Sequence, residues 1–567
     1  MRHTKQLATF ALLWIGLLAA GSAFADNSKI SPDLLPLLSN PSQTVNVIVQ
    51  YNSASQTCNS SALLGPLTCT VVNTLDGAVN LVFNLINAVS ATILAGDVVN
   101  LSNQSNVTYI SLDRAVNASL DYTADAVYAP FAWNSGLDGT GIGIAVIDSG
   151  IYPHPDLTSH WGQSRVVYRQ SFISGGVQYD DYGHGTHVAG IAAGNASMSS
   201  MPGSLHVLKG IAPNANLLDL RVLDKNGAST DSAVIAALQR AVQLKSKYNV
   251  RVINLSLGRP IYESCSVDPL CQAVEAAWTN GIVVVTAAGN LGRNGYATVT
   301  SPGNSPHTIS VGCMKTLETY PRNDDLIASY SSRGPTYVDL TVKPDLVAPG
   351  NLVVSLLAPG STLASEYPAN VVPPSYYTNS SKPGPAEYFR LSGTSMATPV
   401  VSGAAALMLQ NDPSLSPDTV KARLMKTATK NFPAYSTATD PTTGTTYVDT
   451  YDIFTIGAGY LDIQAALSST DVAYGSAASP SVLYNPFAQQ AYLVTPSNSI
   501  WGQSRNVVWG SGNIWGTNVV WGSNVFVNGT NVVWGSNVVW GSSDDWGTNV
   551  VWGSNVVWGS TSGIGEN

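Results

Sequence analysis

Short apolar runs alternate with longer amphipathic segments through the middle of the chain. The apolar runs have the length and continuity of strands buried on both faces, and they occupy residues 141–150, 217–223, 251–257 and 282–290. The segments between them favour helices, at residues 183–194, 231–245 and 268–281. Because such strands alternate with helices, the pattern predicts an α/β fold with a mostly parallel β-sheet covered by helices on both faces.

Polar residues with catalytic potential lie in three glycine-rich segments of this pattern. The first contains Asp148 just past an apolar strand, the second contains His184 and His187, and the third contains Ser395 before an alanine-rich run. A serine hydroxyl becomes an effective nucleophile when an imidazole accepts its proton and a carboxylate orients the imidazole. Since catalytic groups of open α/β sheets lie at the carboxyl ends of strands, we expect a site for acyl transfer there.

These three segments, GIAVIDSGIYPHPDL, DYGHGTHVAG and LSGTSMATPVVSG, resemble the motifs of the subtilisin family, which run D-[ST]-G, H-G-T-H and G-T-S-M-A-x-P in this order. The resemblance covers about residues 136–467 and includes INLSLG, VVTAAGN and VKPDLVAPG. It implies a subtilisin-like fold and a serine endopeptidase, with Ser395 as nucleophile, His184 as base and Asp148 as the orienting carboxylate.

Two other assignments of these polar residues carry less weight. A metal site at His184 and His187 has the spacing of two ligands on one helix face, but no third ligand is evident. Asp180 and Asp181 are closer to His184 in sequence than Asp148 is. The resemblance and the position at a strand end nevertheless favour Asp148.

The resemblance extends to residues that would bind the substrate. Asn290 matches the side chain that, with the backbone N–H of Ser395, stabilises the oxyanion. Two extended segments match the strands that pair with a peptide substrate, namely Ser256, Leu257 and Gly258 on one side and Gly227, Ala228 and Ser229 on the other. Thr300 lies near a position that is often glycine at the base of the primary pocket, so we expect a short pocket that disfavours large aromatic side chains.

The predicted reaction needs no cofactor, because the three side chains supply the nucleophile and the proton transfers. Asp156 matches a calcium ligand of the family, whereas the loop at residues 195–210 contains no carboxylate. One carboxylate with backbone carbonyls holds calcium only weakly. The sequence therefore leaves open whether a structural calcium ion binds at Asp156.

Five cysteines fit an exported protein only in part. Cys265 and Cys271 enclose a short loop that an oxidising compartment would close as a disulfide, and Cys58 and Cys69 form a second pair of this kind. Cys313 ends an apolar strand, and we expect it to be a small buried side chain rather than a nucleophile.

Residues 1–25 have the organisation of a signal peptide. Arg2 and Lys5 precede an apolar run at residues 7–20, and AFA at residues 23–25 matches a cleavage site. The alternative is a retained anchor, but the run is shorter than the roughly 20 residues of a membrane span. We therefore expect a secreted or surface-associated protein after removal of this segment.

Residues 26–123 precede the catalytic segments as a separate unit. Strands at residues 45–51, 90–96 and 108–116, with helices at about 74–89 and 97–107, give a βαββαβ-like order. This unit resembles the propeptide that folds and inhibits subtilisins, which implies that the chain is a zymogen processed near residues 120–123. An unrelated N-terminal domain is the alternative.

The remaining chain divides into a catalytic domain at residues 124–468, a linker at 469–500, a repeat tail at 501–560 and an end at 561–567. The tail repeats N-V-V-W-G-[ST], with a tryptophan every six residues from Trp534 to Trp558. Val-Val-Trp favours a short strand and Gly-Ser-Asn a turn. Stacked strands or a loosely ordered tail both fit, and the tail is a candidate for contact with glycan or the cell envelope, or for self-association.

Composition limits the partners. Only 11% of the residues are charged and the net charge is −9, so no basic cluster is available to bind nucleic acid. The leading hypothesis is a secreted serine endopeptidase made as a zymogen, which acts on proteins or peptides with broad or modestly apolar specificity and is inhibited by its own propeptide. The alternatives are a surface adhesin with a vestigial peptidase unit and a narrow envelope-processing peptidase attached through the repeats.

Overall fold

The computed structural model describes residues 27–31, 34–52, 78–83, 88–112, 122–173, 179–201, 203–380, 384–440, 443–485, 490–495, 498, 500, 518–521, 525–528 and 531–534. The chain divides into two compact units, Met1–Asn117 and Ala118–Asn567. Within the ranges given above, no helix combines the length and the apolar character that crossing a membrane requires.

The N-terminal unit is an antiparallel sheet with one helix. Its elements are β1 (Thr44–Tyr51), β2 (Ala78–Phe83), β3 (Ala88–Leu94), α1 (Ala95–Ser102) and β4 (Val107–Leu112), and the strand order is β2-β3-β1-β4. Val45, Val47 and Val49 are buried together with Val98 and Leu101 of the helix. Because alternate residues of a strand share one face, this pattern gives the unit a core of its own.

The helix predicted at residues 74–89 is wrong over its described part. Residues 78–83 form β2, which pairs antiparallel with β3 from Ala78 opposite Thr92 to Phe83 opposite Ala88. A short apolar run fits a buried helix and a buried strand equally well by periodicity. Pairing with β3 decides in favour of the strand.

The second unit, Ala118–Asn567, carries the predicted catalytic segments and is called the catalytic unit below. It is built on a mostly parallel sheet, as predicted. Its strands are β5 (Gly143–Asp148), β6 (Val166–Ser171), β7 (Asn216–Arg221), β8 (Val250–Leu255), β9 (Val283–Ala287), β10 (Ile309–Lys315), β11 (Leu326–Ile327) and β12 (Leu346–Pro349). The order is β11-β10-β9-β8-β5-β7-β6, with β12 also beside β10. All these pairs are parallel except β10–β11.

Four helices cover this sheet as two pairs. They are α4 (His184–Ala193), which packs against α9 (Thr394–Asn411), and α5 (Asp231–Tyr248), which packs against α6 (Pro269–Thr279). The sequence dictates α5 directly. The Thr230 hydroxyl accepts the N–H of Ala233 at its start, and Asn249 adopts a left-handed conformation that ends it.

Smaller elements complete the catalytic unit. The helices are α2 (Thr123–Ala126), α3 (Ala129–Asn134), α7 (Thr362–Glu366), α8 (Pro374–Tyr377), α10 (Pro417–Thr427) and α11 (Ile463–Ser468). A three-stranded sheet has the order β13 (Val353–Leu356), β15 (Tyr388–Leu391), β14 (Val371–Val372). A separate hairpin pairs β16 (Tyr435–Thr439) with β17 (Thr446–Thr450).

The segment predicted as a linker, residues 469–500, packs into the fold over its first part. Val342 N donates to Pro480 O and Val482 N donates to Leu340 O, while the Ser479 and Val482 side chains are buried. These contacts correct the prediction of a linker there, because a free linker buries neither backbone nor side chains. The segment also forms β18 (Ser481–Asn485) and β19 (Gln490–Val494).

Part of the repeat tail is described. Residues 518–534 contain β20 (Asn518–Trp521), β21 (Val525–Asn528) and β22 (Asn531–Trp534), which pair antiparallel in sequence order. Ala491 of β19 pairs with Val532 of β22. Most of the predicted repeats lie outside the described residues, together with Cys58, Cys69, the signal segment and the first two residues, 120–121, of the expected processing segment 120–123.

Candidate active site

Asp148 and His184 meet at the carboxyl edge of the central sheet. Asp148 is the last residue of β5 and His184 the first of α4, and both side chains are fully buried. The His184 Nδ1–H donates to Asp148 Oδ1 at 2.7 Å, and Ser149 N donates to the same oxygen at 2.7 Å. This bond assigns the ring proton to Nδ1 and leaves Nε2 as the basic nitrogen.

A glycine in the histidine segment permits this approach. A Cβ at Gly185 would lie 2.2 Å from the Gly150 carbonyl oxygen and 3.1 Å from the Asp148 Cβ. Any side chain there would push α4 away from the end of β5. The glycine of the H-G-T-H motif is therefore a packing requirement of the Asp148–His184 pair.

Ser395 lies in the first turn of α9, beside the end of β8. Its side-chain Oγ–H donates to Ser256 O at 3.1 Å, and the Ser256 hydroxyl donates to Ser395 O at 2.7 Å. Since β8 and β5 are neighbours, Ser395 is brought to the edge that carries Asp148. His184 Nε2 is buried and has no hydrogen-bond partner among the described residues. The nitrogen that would accept the proton and the Ser395 hydroxyl that would donate it are therefore not hydrogen-bonded to each other here.

Asn290 follows β9 and is oriented by the start of α9. Its Oδ1 accepts hydrogen bonds from Thr394 N at 2.9 Å and Thr394 Oγ1 at 3.0 Å. Because the carbonyl end of the amide is used in this way, the NH₂ end is the one able to donate to a substrate oxyanion. Thr394 is a functional residue that the sequence reasoning misses, although it directly precedes Ser395 in the G-T-S-M motif.

The other carboxylates near His184 have structural partners. Asp180 is buried and accepts hydrogen bonds from Gly183 N, Ser149 Oγ and both the N–H and hydroxyl of Thr186, at 2.7–2.8 Å. Burial raises the pKa of Asp180, and these hydrogen bonds oppose the shift. Asp180 thus fixes the start of α4 instead of orienting the base.

Two further residues from the alternative assignments have structural roles. Asp181 forms an ion pair with Arg221. The buried His187 Nε2 lies 3.1 Å from Val353 O and 3.0 Å from Phe389 O, and burial lowers its pKa to about 3. His187 is therefore a neutral residue that donates to backbone carbonyls, with no role as a ligand beside His184.

The structure gives the burial and the backbone conformation of the two segments that are predicted to pair with a substrate. Ser256 and Leu257 are buried and Gly258 is partly exposed, just past β8. On the opposite side, Gly227 has φ = +72°, and a Cβ there would meet the Tyr182 ring at 2.6 Å. The exposed Ala228 and the partly buried Ser229 follow Gly227, and the Ser229 hydroxyl donates to Val222 O at 2.7 Å.

Thr300 occupies the space between two glycines. A Cβ at Gly258 would lie 2.5 Å from Thr300 Oγ1, and a Cβ at Gly289 would lie 2.9 Å from Thr300 Cγ2. The Thr300 backbone N–H donates to Ala288 O at 2.9 Å. The side chain thus fills the gap between the segment after β8 and the segment that carries Asn290.

Asp156 does not fit a calcium ion. Its Oδ1 accepts hydrogen bonds from Ser197 Oγ at 2.9 Å and Met198 N at 2.8 Å, and its Oδ2 accepts one from Tyr388 OH at 2.6 Å. Its backbone oxygen accepts a hydrogen bond from Arg165 Nη2. Calcium needs six to eight oxygen ligands. Here donors surround a fully buried carboxylate, so the chemistry of the site disagrees with the calcium hypothesis.

The cysteines have structural positions. Cys265 and Cys271 form a disulfide with a Cα–Cα distance of 5.2 Å. Cys313 is a buried free thiol in β10, with its sulfur 3.2 Å from Tyr330 OH.

Comparison with known proteins supplies independent findings. Residues 139–447 match the sequence model described as the subtilase family. The chain is 38% identical to serine protease AprX of Bacillus subtilis (strain 168) over 359 residues, which are 62% of this chain and 76% of that protein. It is 33% identical to subtilisin E of the same organism over 364 residues, 63% of this chain and 80% of subtilisin E. An alkaline protease of Shouchella clausii is 34% identical over 350 residues, 61% and 75% of the two chains.

Proposed function

The chain belongs to the subtilase family and is a subtilisin-like serine endopeptidase; from this premise we propose that it is secreted, made as a zymogen and acts on proteins through an acyl-enzyme at Ser395. The observation that carries the proposal is the buried hydrogen bond of 2.7 Å between Asp148 and His184. His184 Nε2 has no hydrogen-bond partner among the described residues, and α4, which begins at His184, packs against α9, which bears Ser395. This arrangement provides a base of fixed tautomer for the hydroxyl.

The first half of the reaction transfers the acyl group to the enzyme. The Ser395 hydroxyl leaves Ser256 O, gives its proton to His184 Nε2 and attacks the substrate carbonyl carbon. Asp148 stabilises the imidazolium that forms. The oxyanion accepts hydrogen bonds from the Asn290 side chain and the Ser395 backbone N–H. The imidazolium then protonates the leaving amine as the C–N bond breaks.

The second half releases the acyl group. Water replaces the leaving amine, and His184 Nε2 accepts a proton from it as it attacks the ester carbonyl. The same oxyanion donors act again, and the proton returns to Ser395 Oγ when the ester breaks. All proton transfers therefore pass through one imidazole, and no cofactor takes part.

The N-terminal unit fits the role of an inhibitory propeptide. It precedes the catalytic unit, it has its own core around Val47 and Leu101, and it combines an antiparallel sheet with a helix. A small unit with its own core can act as a folding and inhibitory domain. The Cys265–Cys271 disulfide supports passage through an oxidising compartment, which agrees with the signal-like N-terminus.

The primary pocket supports selection of small or modestly apolar residues. P1 denotes the substrate residue that supplies the scissile carbonyl. Thr300, between Gly258 and Gly289, occupies volume that a large aromatic P1 side chain would need. None of these three residues carries the negative charge that would favour a basic P1 side chain. A peptide library dominated by Phe and Tyr at P1 would contradict the short pocket.

Self-processing tests the proposal directly. The chain without residues 1–25 is expressed beside Ser395→Ala, and both are followed by mass and N-terminal sequencing. We expect only the wild type to lose about the first hundred residues, since the cut requires its own nucleophile. Two intact chains would rule out an autoprocessed zymogen. Ser402→Ala, which alters another buried serine of the same helix, is the matched control.

For the repeat tail we propose attachment to the cell envelope. The support is the six-residue tryptophan period and the antiparallel pairing of β20, β21 and β22. A chain that ends at residue 500 should hydrolyse casein like the full chain but sediment less with envelope fragments. Equal sedimentation of the two chains would exclude attachment through the tail.

A further inference from the structure

The loop at residues 291–299, here called the pocket loop, joins two residues of the site. Asn290 precedes it and Thr300 follows it. Because Thr394 of α9 holds the Asn290 side chain, a displacement of the loop acts mainly on Thr300 and the filled pocket base. The carboxylates that hold the pocket loop directly lie 147 and 156 residues further along the chain, in the turn of the β16–β17 hairpin and just after β17.

Arg293 makes the first connection. Its Nη1 lies 2.6 Å from Asp440 Oδ2, in the turn of the hairpin, and its guanidinium lies 4.8 Å from the centre of the Tyr447 ring in β17. Its Nε also donates to Ser329 Oγ at 2.9 Å. An arginine whose guanidinium pairs with a carboxylate and stacks on an aromatic ring is held in one position, and this restrains the backbone of the same residue.

Tyr296 makes the second connection. Its hydroxyl donates to Asp452 Oδ2 at 2.6 Å, and its ring meets the Phe454 ring edge-on with 6.2 Å between centroids. Burial, followed by the charge of Asp452, raises the pKa of Tyr296, which favours the protonated hydroxyl as the donor in this hydrogen bond.

Arg333 makes the third connection, through the backbone. Thr298 N donates to Arg333 O at 2.9 Å and Arg333 N donates to Thr298 Oγ1 at 3.0 Å. The Arg333 guanidinium in turn forms a buried ion pair with Asp449 of β17. The end of the pocket loop next to Thr300 is thus joined to the hairpin by way of one arginine.

The backbone of the pocket loop needs such support. Ala297 has φ = +58°, a left-handed conformation that is unfavourable for a residue with a side chain. Conformations of this kind persist where surrounding contacts hold them. Ala297 lies between the connections at Tyr296 and Thr298, where that support is concentrated.

We propose that the hairpin is a brace that positions the pocket loop, with Arg293 as its principal positioning residue, and that it thereby sets P1 selection. This inference rests on the proposed function, because it concerns the same pocket. Without the brace, the loop samples conformations that admit larger P1 side chains and bind every substrate less well. We expect the reactivity of Ser395 itself to stay unchanged, since the Asp148–His184 hydrogen bond lies at the end of β5 and the start of α4.

Arg293→Ala tests the brace in the processed full chain. We expect KM for peptides to rise about three- to ten-fold, the range for a partly exposed ion pair together with a cation–π contact, and the preference among P1 side chains to become flatter. The rate at which a phosphonofluoridate labels Ser395 should not change. Asp440→Asn should give the same phenotype, and the double variant should be no worse than Arg293→Ala alone.

Arg322→Ala is the matched control. Arg322 also faces a carboxylate, Asp462, and an aromatic ring, Tyr460, but neither of these residues belongs to the pocket loop or to the hairpin. Its removal should leave the P1 profile intact. An unchanged P1 profile and KM in Arg293→Ala would overturn the brace, as would an equal change in Arg322→Ala.

Hydrogen exchange separates this inference from the proposed function. The amides of residues 291–299 should exchange faster in Arg293→Ala than in the wild type, whether or not the enzyme is active. If the wild type hydrolyses nothing, the proposed function fails while exchange still tests the brace. If the wild type is active and both exchange and KM are unchanged in the variant, only the brace fails.

Discussion

The proposed catalytic edge is formed by Asp148, His184, Ser395 and Asn290, and a buried ion cluster around Asp345 lies in the same unit. The two regions differ in the contacts that hold their side chains. At the catalytic edge each side chain is fixed by a residue of a neighbouring motif, such as Ser149 or Thr394. In the ion cluster, Asp345 meets Lys343, which lies two residues before it, together with Lys421 and Ser479 from two distant parts of the chain.

The geometry of the ion cluster explains why it needs distant partners. Lys343 Nζ lies 2.6 Å from Asp345 Oδ2, and Lys421 Nζ lies 3.1 Å from Asp345 Oδ1, with all three side chains fully buried. Ser479 donates to the same carboxylate, and Thr308 O accepts from both lysines. Burial opposes ionisation of Asp345, but the lysines outweigh it and lower its pKa. The reactive groups thus stand in short, recognisable motifs, whereas two of the groups that hold Asp345, Lys421 and Ser479, come from distant segments that no motif marks.

Asp345→Asn should give the largest effect, and it should affect stability. Removing the carboxylate leaves two buried cations without compensation, which costs about 3–5 kcal/mol in the free energy of unfolding. Denaturant unfolding of the Ser395→Ala background measures this without self-digestion. Asp471→Asn, in the exposed pair with Lys426, is the control and should cost at most about 1 kcal/mol. Equal losses in both variants would mean that the ion cluster is not a support.

Asn290→Ala should give a comparable effect on activity with little effect on stability. We expect kcat to fall about 10²–10³-fold, which is the known cost of removing the equivalent donor in subtilisin, with KM nearly unchanged. Steady-state kinetics on a peptide substrate measures it. Asn294→Ala, which alters an exposed asparagine of the same loop, should keep full activity. A large rise in KM for Asn290→Ala would place this residue in substrate binding instead.

A further effect should appear in the pH dependence of stability, at Asp219 of β7, the strand next to β5. Burial raises the pKa of Asp219 to about 7, against the opposing charge of Arg169, while an unfolded aspartate titrates near 4. Between these values the folded state holds the extra proton, so this contribution to stability is complete below about pH 4 and is lost as the pH rises through 7. Its slope is at most about 1.4 kcal/mol per pH unit.

Asp219→Asn isolates that slope. The variant cannot titrate at this position, so its free energy of unfolding should fall less between pH 4 and pH 7 than that of the parent. Parallel pH profiles for the two proteins would show that Asp219 ionises normally. Asp224→Asn, which changes a partly exposed turn carboxylate near the end of the same strand, serves as the reference.

The same contrast explains which features could be predicted from the sequence. Asp148, Ser395 and the parallel strands follow from apolar runs and from short motifs that are recognisable in the sequence, although the contacts between the motifs span 36 to 139 residues of the chain. The strand Ala78–Phe83 escapes prediction because its apolar run fits either period and only β3 decides. Arg293 and Asp440, which pair across the unit, leave no spacing that a single sequence can reveal. The packed segment around Ser479 resembles a linker in sequence for the same reason.

Covalent labelling tests the central claim most directly. A phosphonofluoridate is added to the processed full chain, and the adduct is located by peptide mass spectrometry. We predict one adduct, on Ser395, formed at the rate at which activity is lost, absent in Ser395→Ala and strongly slowed in His184→Ala. An active wild type that takes up no label at Ser395, or a Ser395→Ala variant that keeps its activity, would contradict it.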